Sequence, residues 1–304
     1  MNTVEKITII TPTFNRAHTL PRVYDSLLKQ TFKNFKWVII DDGSTDETET
    51  VVKTFIDENK INIQYTKNEN AKKFYTVFKG IENVSTPYFS IMDSDDAYPT
   101  DALEILIKEA EKLDPSEFIS VIGHSVDENG KIFGDLFPEN FDGSVLEMRY
   151  KYKIKGDKNG LFITEPYLKY LHKFNFEKYR GKYAPQKIFF NIYDANGMKT
   201  RFINKVVRIY FFDPSDVQSM SNDRVKPSSY EGLKDGYLSF INNYAYQLFF
   251  YPLAFFRNII GYETYSILFK EDFSETIVNI KPRLIKILAV LFYPFSYIHS
   301  KKIL

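Results

Sequence analysis

Three short apolar runs, each stopped by a polar or acidic cluster, constrain this chain more than any other feature. Lys6–Thr11 (KITIIT) is β-branched and ends at Pro12. Phe35–Ile40 (FKWVII) ends at Asp41-Asp42-Gly43-Ser44, and Tyr88–Met92 (YFSIM) ends at Asp93-Ser94-Asp95-Asp96. Runs of this length and composition predict buried strands. Between them, apolar residues recur at helical spacing. Leu20, Val23, Leu27 and Leu28 do so within 18–30, and Val51, Val52, Phe55 and Ile56 follow a capping box from Ser44 to Glu47. Asn62–Thr66 adds a strand, 75–84 a helix, and 101–113 a strongly periodic helix on Leu103, Leu106, Ile107, Ala110 and Leu113. This alternation predicts an α/β domain with a mainly parallel sheet, whose ligands sit at the carboxyl ends of the strands. All three polar clusters fall there.

Composition narrows the chemistry. There are no cysteines, which excludes disulfide scaffolds, thiolate zinc sites and cysteine nucleophiles. The four histidines, at 18, 124, 172 and 299, are dispersed, so a divalent metal would be held by carboxylates. Forty Lys plus Arg against 39 Asp plus Glu leave a net charge of +1, which argues against a nucleic-acid partner. The opening MNTVEKITII lacks the pattern of a secretory signal, so the expected location is cytoplasmic.

Asp93, Asp95 and Asp96 place three carboxylates within four residues after an apolar strand. On a surface loop water would solvate them. At the ligand edge of a sheet their repulsion calls for a hard cation, Mn²⁺ or Mg²⁺, which leaves positions open for phosphate oxygens. The second cluster reads in part as an ordinary capped turn, with Gly43 for the bend. Two adjacent aspartates there go beyond that need, and a carboxylate can accept a hydrogen bond from a base N–H or a ribose hydroxyl. In the first cluster Arg16 either meets a phosphate or is an exposed cation beside a helix start.

Jointly, ITIITPTFNR (7–16), WVIIDDGSTDET (37–48) and YFSIMDSDD (88–96) resemble, in order and spacing, the family 2 glycosyltransferases of GT-A fold. The resemblance covers roughly the first 115 residues. It implies an α/β, Rossmann-like sheet flanked by helices, with Pro12, Thr13, Asn15 and Arg16 lining the nucleotide side. Asp42 or its neighbour Asp41 would face the base. Asp93, with Ser94, would approach the ribose, while Asp95 holds the metal with Asp93 and Asp96 beside it. Many members carry Gly-Gly-Lys-His and then an Asn where this chain has Ala71-Lys72-Lys73-Phe74 and Phe78; Lys73 would still reach a phosphate. Inverting members use an Asp or Glu base about a hundred residues after the metal motif. The stretch 181–186 resembles their Pro-Glu segment but ends in Gln186, which leaves Glu177 and Asp194, then Asp213 and Asp216, as substitutes. Val206–Ser221 resembles a late strand and loop near the acceptor.

The expected division is a GT-A domain over 1–240, with a nucleotide-sugar half (1–115) and an acceptor half (116–240), then an apolar and basic segment over 241–304. Phe and Tyr number 13 in residues 1–130 and 37 in 131–304. The stretches 244–262 and 284–298 are aliphatic and aromatic. Ile287–Ile298 is too short to span a bilayer, which takes ~20 apolar residues. With Lys281, Arg283, Lys286, Lys301 and Lys302 nearby, it suits the surface of an anionic membrane or, alternatively, packing on the core. The expected activity is metal-dependent, inverting transfer of a sugar from a nucleotide diphosphate sugar to a hydroxyl of a glycan or lipid-linked glycan. The donor's base is uridine by family habit. The alternative is a catalytically weak or inactive nucleotide-sugar-binding protein. A nucleotidyltransferase is disfavoured because no glycine-rich phosphate loop follows the first strand.

Overall fold

In the computed structural model the β-branched run at the amino end becomes β1, Ile7–Thr13, buried along its whole length. On one side it pairs in parallel with β2 (Phe35–Asp41), which pairs in parallel with β3 (Asn62–Lys67). On its other side lies β4 (Tyr88–Ile91), also parallel. The connections are α1 (Leu20–Leu28), α2 (Thr48–Glu58) and α3 (Lys73–Glu82), and α4 (Ala102–Ala110) follows β4. Parallel neighbours need such crossovers, and β1, with a helix layer on each face, shows the continuous apolar run that follows.

The packing explains why these segments settle there. Leu20, Val23 and Leu27 are fully buried beneath α1, and Trp37 of β2 stacks with Tyr24 and Phe55. Burying each of these side chains stabilises the fold by about 2–3 kcal/mol before entropy is counted. The Trp37 indole N–H is not stranded, because it donates to Thr11 Oγ1 at 2.9 Å.

The expected capping box does not form. Residue Glu47 is the N-cap of α2 and makes no side-chain cap bond. Ser44 instead accepts the Asn15 N–H through its Oγ, at 2.8 Å. Asp46 does the local work, accepting Thr48 N–H at 3.0 Å and Ala17 N–H at 3.1 Å. The polar side chains of this turn therefore tie it to the loop after β1.

Beyond residue 116 the sheet continues as β5 (Phe118–Val126), β6 (Phe141–Gly143), β7 (Lys158–Ile163) and β8 (Lys199–Ile209). The order is β3-β2-β1-β4-β7-β5-β8-β6. β7 runs antiparallel to both β4 and β5, and β6 is antiparallel to β8, so the complete sheet is mixed and the mainly parallel arrangement holds only for its first half. The late strand expected at the start of 206–221 is the end of the longer β8, whose first three residues, Lys199, Thr200 and Arg201, are all polar and give no apolar run. After β7 the chain turns directly into α5 (Thr164–Leu171).

The structure describes residues 4–212 and 226–303. They group into two compact units, Met1–Phe176 with Gly197–Asp213, and Glu177–Asn196 with Pro214–Leu304. The first contains the sheet. In the second, the described helices are α6 (Lys187–Ala195), α7 (Tyr230–Asn243), α8 (Pro252–Leu268), α9 (Phe273–Val278) and α10 (Arg283–Ser300). Gly232 lets α7 approach the 183–184 backbone, since a Cβ there would come within 1.9 Å of the Tyr183 carbonyl oxygen. Tyr179 donates to Asp235 at 2.9 Å across the same contact. Among the described residues, no helix is long and apolar enough to cross a membrane.

Candidate active site

The strand order reverses at β1, with β2 on one side and β4 on the other, and in open α/β sheets ligands bind outside the carboxyl ends at such a point. Register puts Thr13 opposite Asp41, and Met92 N–H donates to Ile10 C=O at 2.9 Å. The turns after β1, β2 and β4 are thereby held side by side.

Two of the loops are buckled together by Asn15. It sits at φ 53°, a left-handed conformation that asparagine tolerates, and its Oδ1 accepts Thr45 N–H at 2.8 Å. Asp41 is fully buried, and both its oxygens serve the loop: Oδ1 accepts Ser44 N–H at 2.7 Å and Oδ2 accepts the Tyr65 hydroxyl at 2.6 Å. Gly43, at φ +86°, passes too close to the Asn70 amide to carry a Cβ easily. Asp42 holds the segment before α3, accepting Ala71 N–H at 2.8 Å and Thr76 Oγ1 at 2.7 Å; burial raises its pKa despite those bonds. Pro12 and Thr13 are buried at the strand end, and Thr13 Oγ1 has no hydrogen-bond partner among the described residues. A hydroxyl left in that state is a group in want of a ligand.

The acidic turn lies beside them. Asp93, Asp95 and Asp96 each offer an oxygen within 4.8 Å of the others. Lys73, at the start of α3, places Nζ 2.7 Å from Asp93 Oδ1, while Arg16 Nη2 stands 3.9 Å from Asp95 Oδ2. Burial works against charge on Asp93, but the Lys73 ammonium, with Arg208 and Arg16, outweighs it and holds the carboxyl below its usual range. Lys73 is correspondingly raised: burial favours the neutral amine, and the Asp93 carboxylate beside it wins. Asp95 is raised by burial and by the charge of Asp93. Asp96, with no exposed surface, is pushed up to about 7 by burial, against the pull of Arg208 and with the push of Asp93 and Asp95. Ser94, between them, is buried.

These carboxylates fit a hard divalent cation. All the donors are oxygens, the side chains of Asp93 and Asp95 are about one-third accessible, and the mutual repulsion that raises Asp95 is what a cation would relieve. Asp96 is the innermost, facing Arg208 Nη1 at 3.3 Å and accepting Phe211 N–H at 3.2 Å.

The profile of the family described as Glycosyl transferase family 2 matches residues 8–206. The chain belongs to glycosyltransferase family 2. Among curated relatives of this family 2 chain, an uncharacterized glycosyltransferase of Rickettsia prowazekii is 34% identical over 120 residues, covering 40% of this chain and 36% of the relative. The chain thus spans about a third of that relative's length. The GalNAc(5)-diNAcBac-PP-undecaprenol beta-1,3-glucosyltransferase of Campylobacter jejuni is 28% identical over 213 residues, 67% of this chain and 64% of the relative. Among solved structures, S. aureus TarS 1–349, crystallised in complex with UDP-GlcNAc, superposes with a TM-score of 0.61 at 17% identity, over 97% of this chain and 92% of that one. That likeness shows the fold, and the α/β sheet with flanking helices is the GT-A architecture.

Within this family 2 member the strand-end residues 12–16, 41–42, Lys73 and 93–96 come together in the first compact unit. The three base candidates lie in the second. Gln186 is the N-cap of α6, half-buried, and Glu177 begins a short 3₁₀ turn. Asp194 is buried and accepts the Tyr244 hydroxyl at 2.5 Å, a bond that ties the end of α6 to the end of α7. Asp213 and Asp216 lie outside the described residues.

Sequence reasoning passed over two cations of this family 2 chain. Arg22 of α1 donates to the Asp95 carbonyl oxygen at 2.7 Å and lies 3.7 Å over the Phe211 ring. Arg208 of β8 is buried against Asp96. The available signal was a single cation inside the apolar run VVRIYFF, which a strand interior tolerates only with a partner. A separate cleft of about 610 Å³ beside Arg201 and Phe202 contains none of the strand-end residues.

Proposed function

We propose that the chain transfers a sugar from a nucleotide diphosphate sugar, with inversion, to a hydroxyl of a glycan or lipid-linked glycan. The observation carrying this reading is the Asp93–Asp95–Asp96 cluster at the strand-order reversal, flanked by Lys73 and Arg16. In this reading Asp95 and Asp93 hold Mn²⁺ or Mg²⁺, with Asp96 in support, and such an ion when bound neutralises charge on the donor diphosphate. Lys73 and Arg16 add fixed positive charge where the leaving diphosphate gains negative charge. In this reading Thr13 and Asp42, at the ends of β1 and β2, line the nucleoside. The acceptor oxygen attacks the anomeric carbon from the side opposite the diphosphate, the C–O bond to the phosphate breaks, and the acceptor proton passes to a base. No covalent enzyme intermediate is required. Uridine is favoured as the base because the TarS neighbour was crystallised with UDP-GlcNAc. The Campylobacter relative, whose name includes PP-undecaprenol, favours a lipid-linked acceptor and so peripheral contact with the cytoplasmic face of a membrane.

A second reading, a nucleotide-sugar-binding protein with weak or no transfer activity, is motivated by Gln186, which cannot take a proton as a carboxylate does. Donor turnover and binding across UDP- and GDP-sugars, with and without Mn²⁺, separates the two. Metal-dependent turnover that Asp95→Ala abolishes supports the transferase. Binding without turnover on any acceptor, unchanged in Gln186→Glu, supports the second reading, and no donor binding at all rejects both.

A further inference from the structure

The helix α10 packs with much of its polarity inside out, and α8 brings polar residues to the seam between the two. α10 buries Ile285, Ala289, Ser296 and Ser300, while Ile287, Leu291, Phe295 and Ile298 are each about 60% exposed. At about 100° per residue, 287, 291 and 298 lie on the side of the helix opposite 289 and 296. α8 is mixed: it buries Phe255, Ile259 and Tyr262 as well as Asn258, Glu263, Thr264 and Ser266, and it exposes Leu253 and Phe256 near its start. The seam between them is polar, with Ser296 Oγ donating to Glu263 Oε2 at 2.5 Å and Thr264 Oγ1 lying 3.3 Å from His299 Nδ1. At its edge Phe256 meets Phe292 edge-on, with centroids 4.9 Å apart. Phe249 and Phe250, just before α8, stand almost fully out of the protein.

A helix on a water-facing surface turns its apolar stripe inward and its polar face outward. The reverse, with small and hydrogen-bonding residues at the seam and large apolar ones outside, suits helices whose outer face meets hydrocarbon, where apolar burial no longer drives the helices together. Charge supplies the second observation. Residues 281–304 contain Lys281, Arg283, Lys286, Lys301 and Lys302 and no Asp or Glu, within a chain whose net charge is only +1. The local excess of five positive charges complements an anionic surface.

We propose that the outward face of α8 and α10, with Phe249 and Phe250, docks on an anionic lipid bilayer, the two helices lying in the interfacial plane rather than crossing it. The inference concerns where the chain sits and is independent of which sugar, if any, it transfers.

The test is co-sedimentation of the full chain with vesicles of phosphatidylglycerol and phosphatidylcholine, compared with phosphatidylcholine alone. The expected result is binding to the anionic vesicles that weakens with salt. The pair Leu291→Glu and Phe295→Glu, both at exposed positions, should reduce it tenfold or more. Replacing Lys281, Arg283 and Lys286 together by Gln should reduce it on the order of a hundredfold and remove much of the salt dependence. Phe295→Trp gives a readout without loss of the apolar face, because the sole native tryptophan, Trp37, is fully buried; its emission should shift to the blue on adding anionic vesicles. Absence of sedimentation, or sedimentation unchanged in both variant sets with no shift of the new tryptophan, overturns the proposal. So does a dimer in light scattering that Leu291→Glu and Phe295→Glu dissociate while vesicles are ignored, which would assign the face to a second copy of the chain.

Discussion

Arg208 reaches from β8 to Asp96 beside β4, its Nη1 3.3 Å from a carboxylate that has no exposed surface. The guanidinium is fully engaged: Nε donates to Ser125 Oγ at 2.9 Å and Nη2 to Asp157 Oδ2 at 2.6 Å. Those partners lie on β5 and just before β7. One buried cation thus fixes the innermost carboxylate of the acidic turn to the far half of the sheet, which makes Arg208 a positioning residue.

Removing that cation should be expensive. Arg208→Met leaves Asp96 buried without a counter-charge, and breaking a buried pair from one side destabilises by roughly 3–5 kcal/mol. Combining it with Asp96→Asn should recover a large part of the loss, because the stranded charge is gone. Urea denaturation of the two single variants and the double measures the coupling. Additive effects would mean that the pair is not an energetic unit.

Lys73 and a bound cation want the same oxygen. Nζ is 2.7 Å from Asp93 Oδ1, so an ion taking Asp93 would release the ammonium toward the donor's phosphates. Lys73→Gln is therefore expected to tighten Mn²⁺ binding several-fold in the absence of donor. The same change should weaken donor binding about tenfold, ~1.4 kcal/mol. Calorimetry with each ligand decides it, and a loss of both affinities would show that Lys73 supports the carboxylates instead of competing for them.

The first half of the sheet was legible because β1, β2 and β4 are continuous apolar runs and a polar cluster follows each run in sequence, so local pattern and candidate site coincide. Thr13, Asp42 and Asp93 could be named for that reason. Asp41 and Asp42 looked equivalent in sequence; both are buried, Asp41 bonded through both oxygens to Ser44 and Tyr65 and Asp42 to Ala71 and Thr76, and no sequence period reveals these partners. The capping box failed because a tertiary partner, the Asn15 amide, claimed Ser44 first. β8 and Arg208 were obscured by long-range pairing: the strand opens on three polar residues and has no regular alternation, and its cation is satisfied by residues from three other segments. Likewise, nothing in the local pattern of 177–196 foretells that it packs with the helices after residue 226.

Lys72 holds a backbone conformation better suited to glycine. At φ 68° and ψ 145° it lies in a region populated almost only by glycine, which strains a residue bearing a Cβ by roughly 1–3 kcal/mol. Lys72→Gly should relieve the strain and lose about 0.5–1 kcal/mol to the freer unfolded chain, for a net stabilisation of about 1 kcal/mol. Lys72→Ala keeps the Cβ and should give none of this gain. Thermal melting of both variants checks it; equal effects would place the cause in the lysine side chain and not in its backbone.

Glu263 makes the helical unit sensitive to pH. Its side chain is buried on α8, one oxygen accepts the Ser296 hydroxyl, and Oε1 has no partner among the described residues. Burial, only partly offset by that bond, pushes its pKa from 4.5 up to about 7. Below the unfolded value the group is protonated in both states and exerts no penalty. Between about 4.5 and 7 the unfolded chain ionises first, so stability falls as pH rises, and above 7 the full penalty of about 3 kcal/mol persists. Glu263→Gln, which cannot ionise, should therefore be more stable than the wild type by about 2–3 kcal/mol at pH 8 and nearly equal to it at pH 4.5. Urea midpoints at the two pH values measure the difference. A gain of the same size at both would trace the effect to packing and remove the carboxylate's titration from the account.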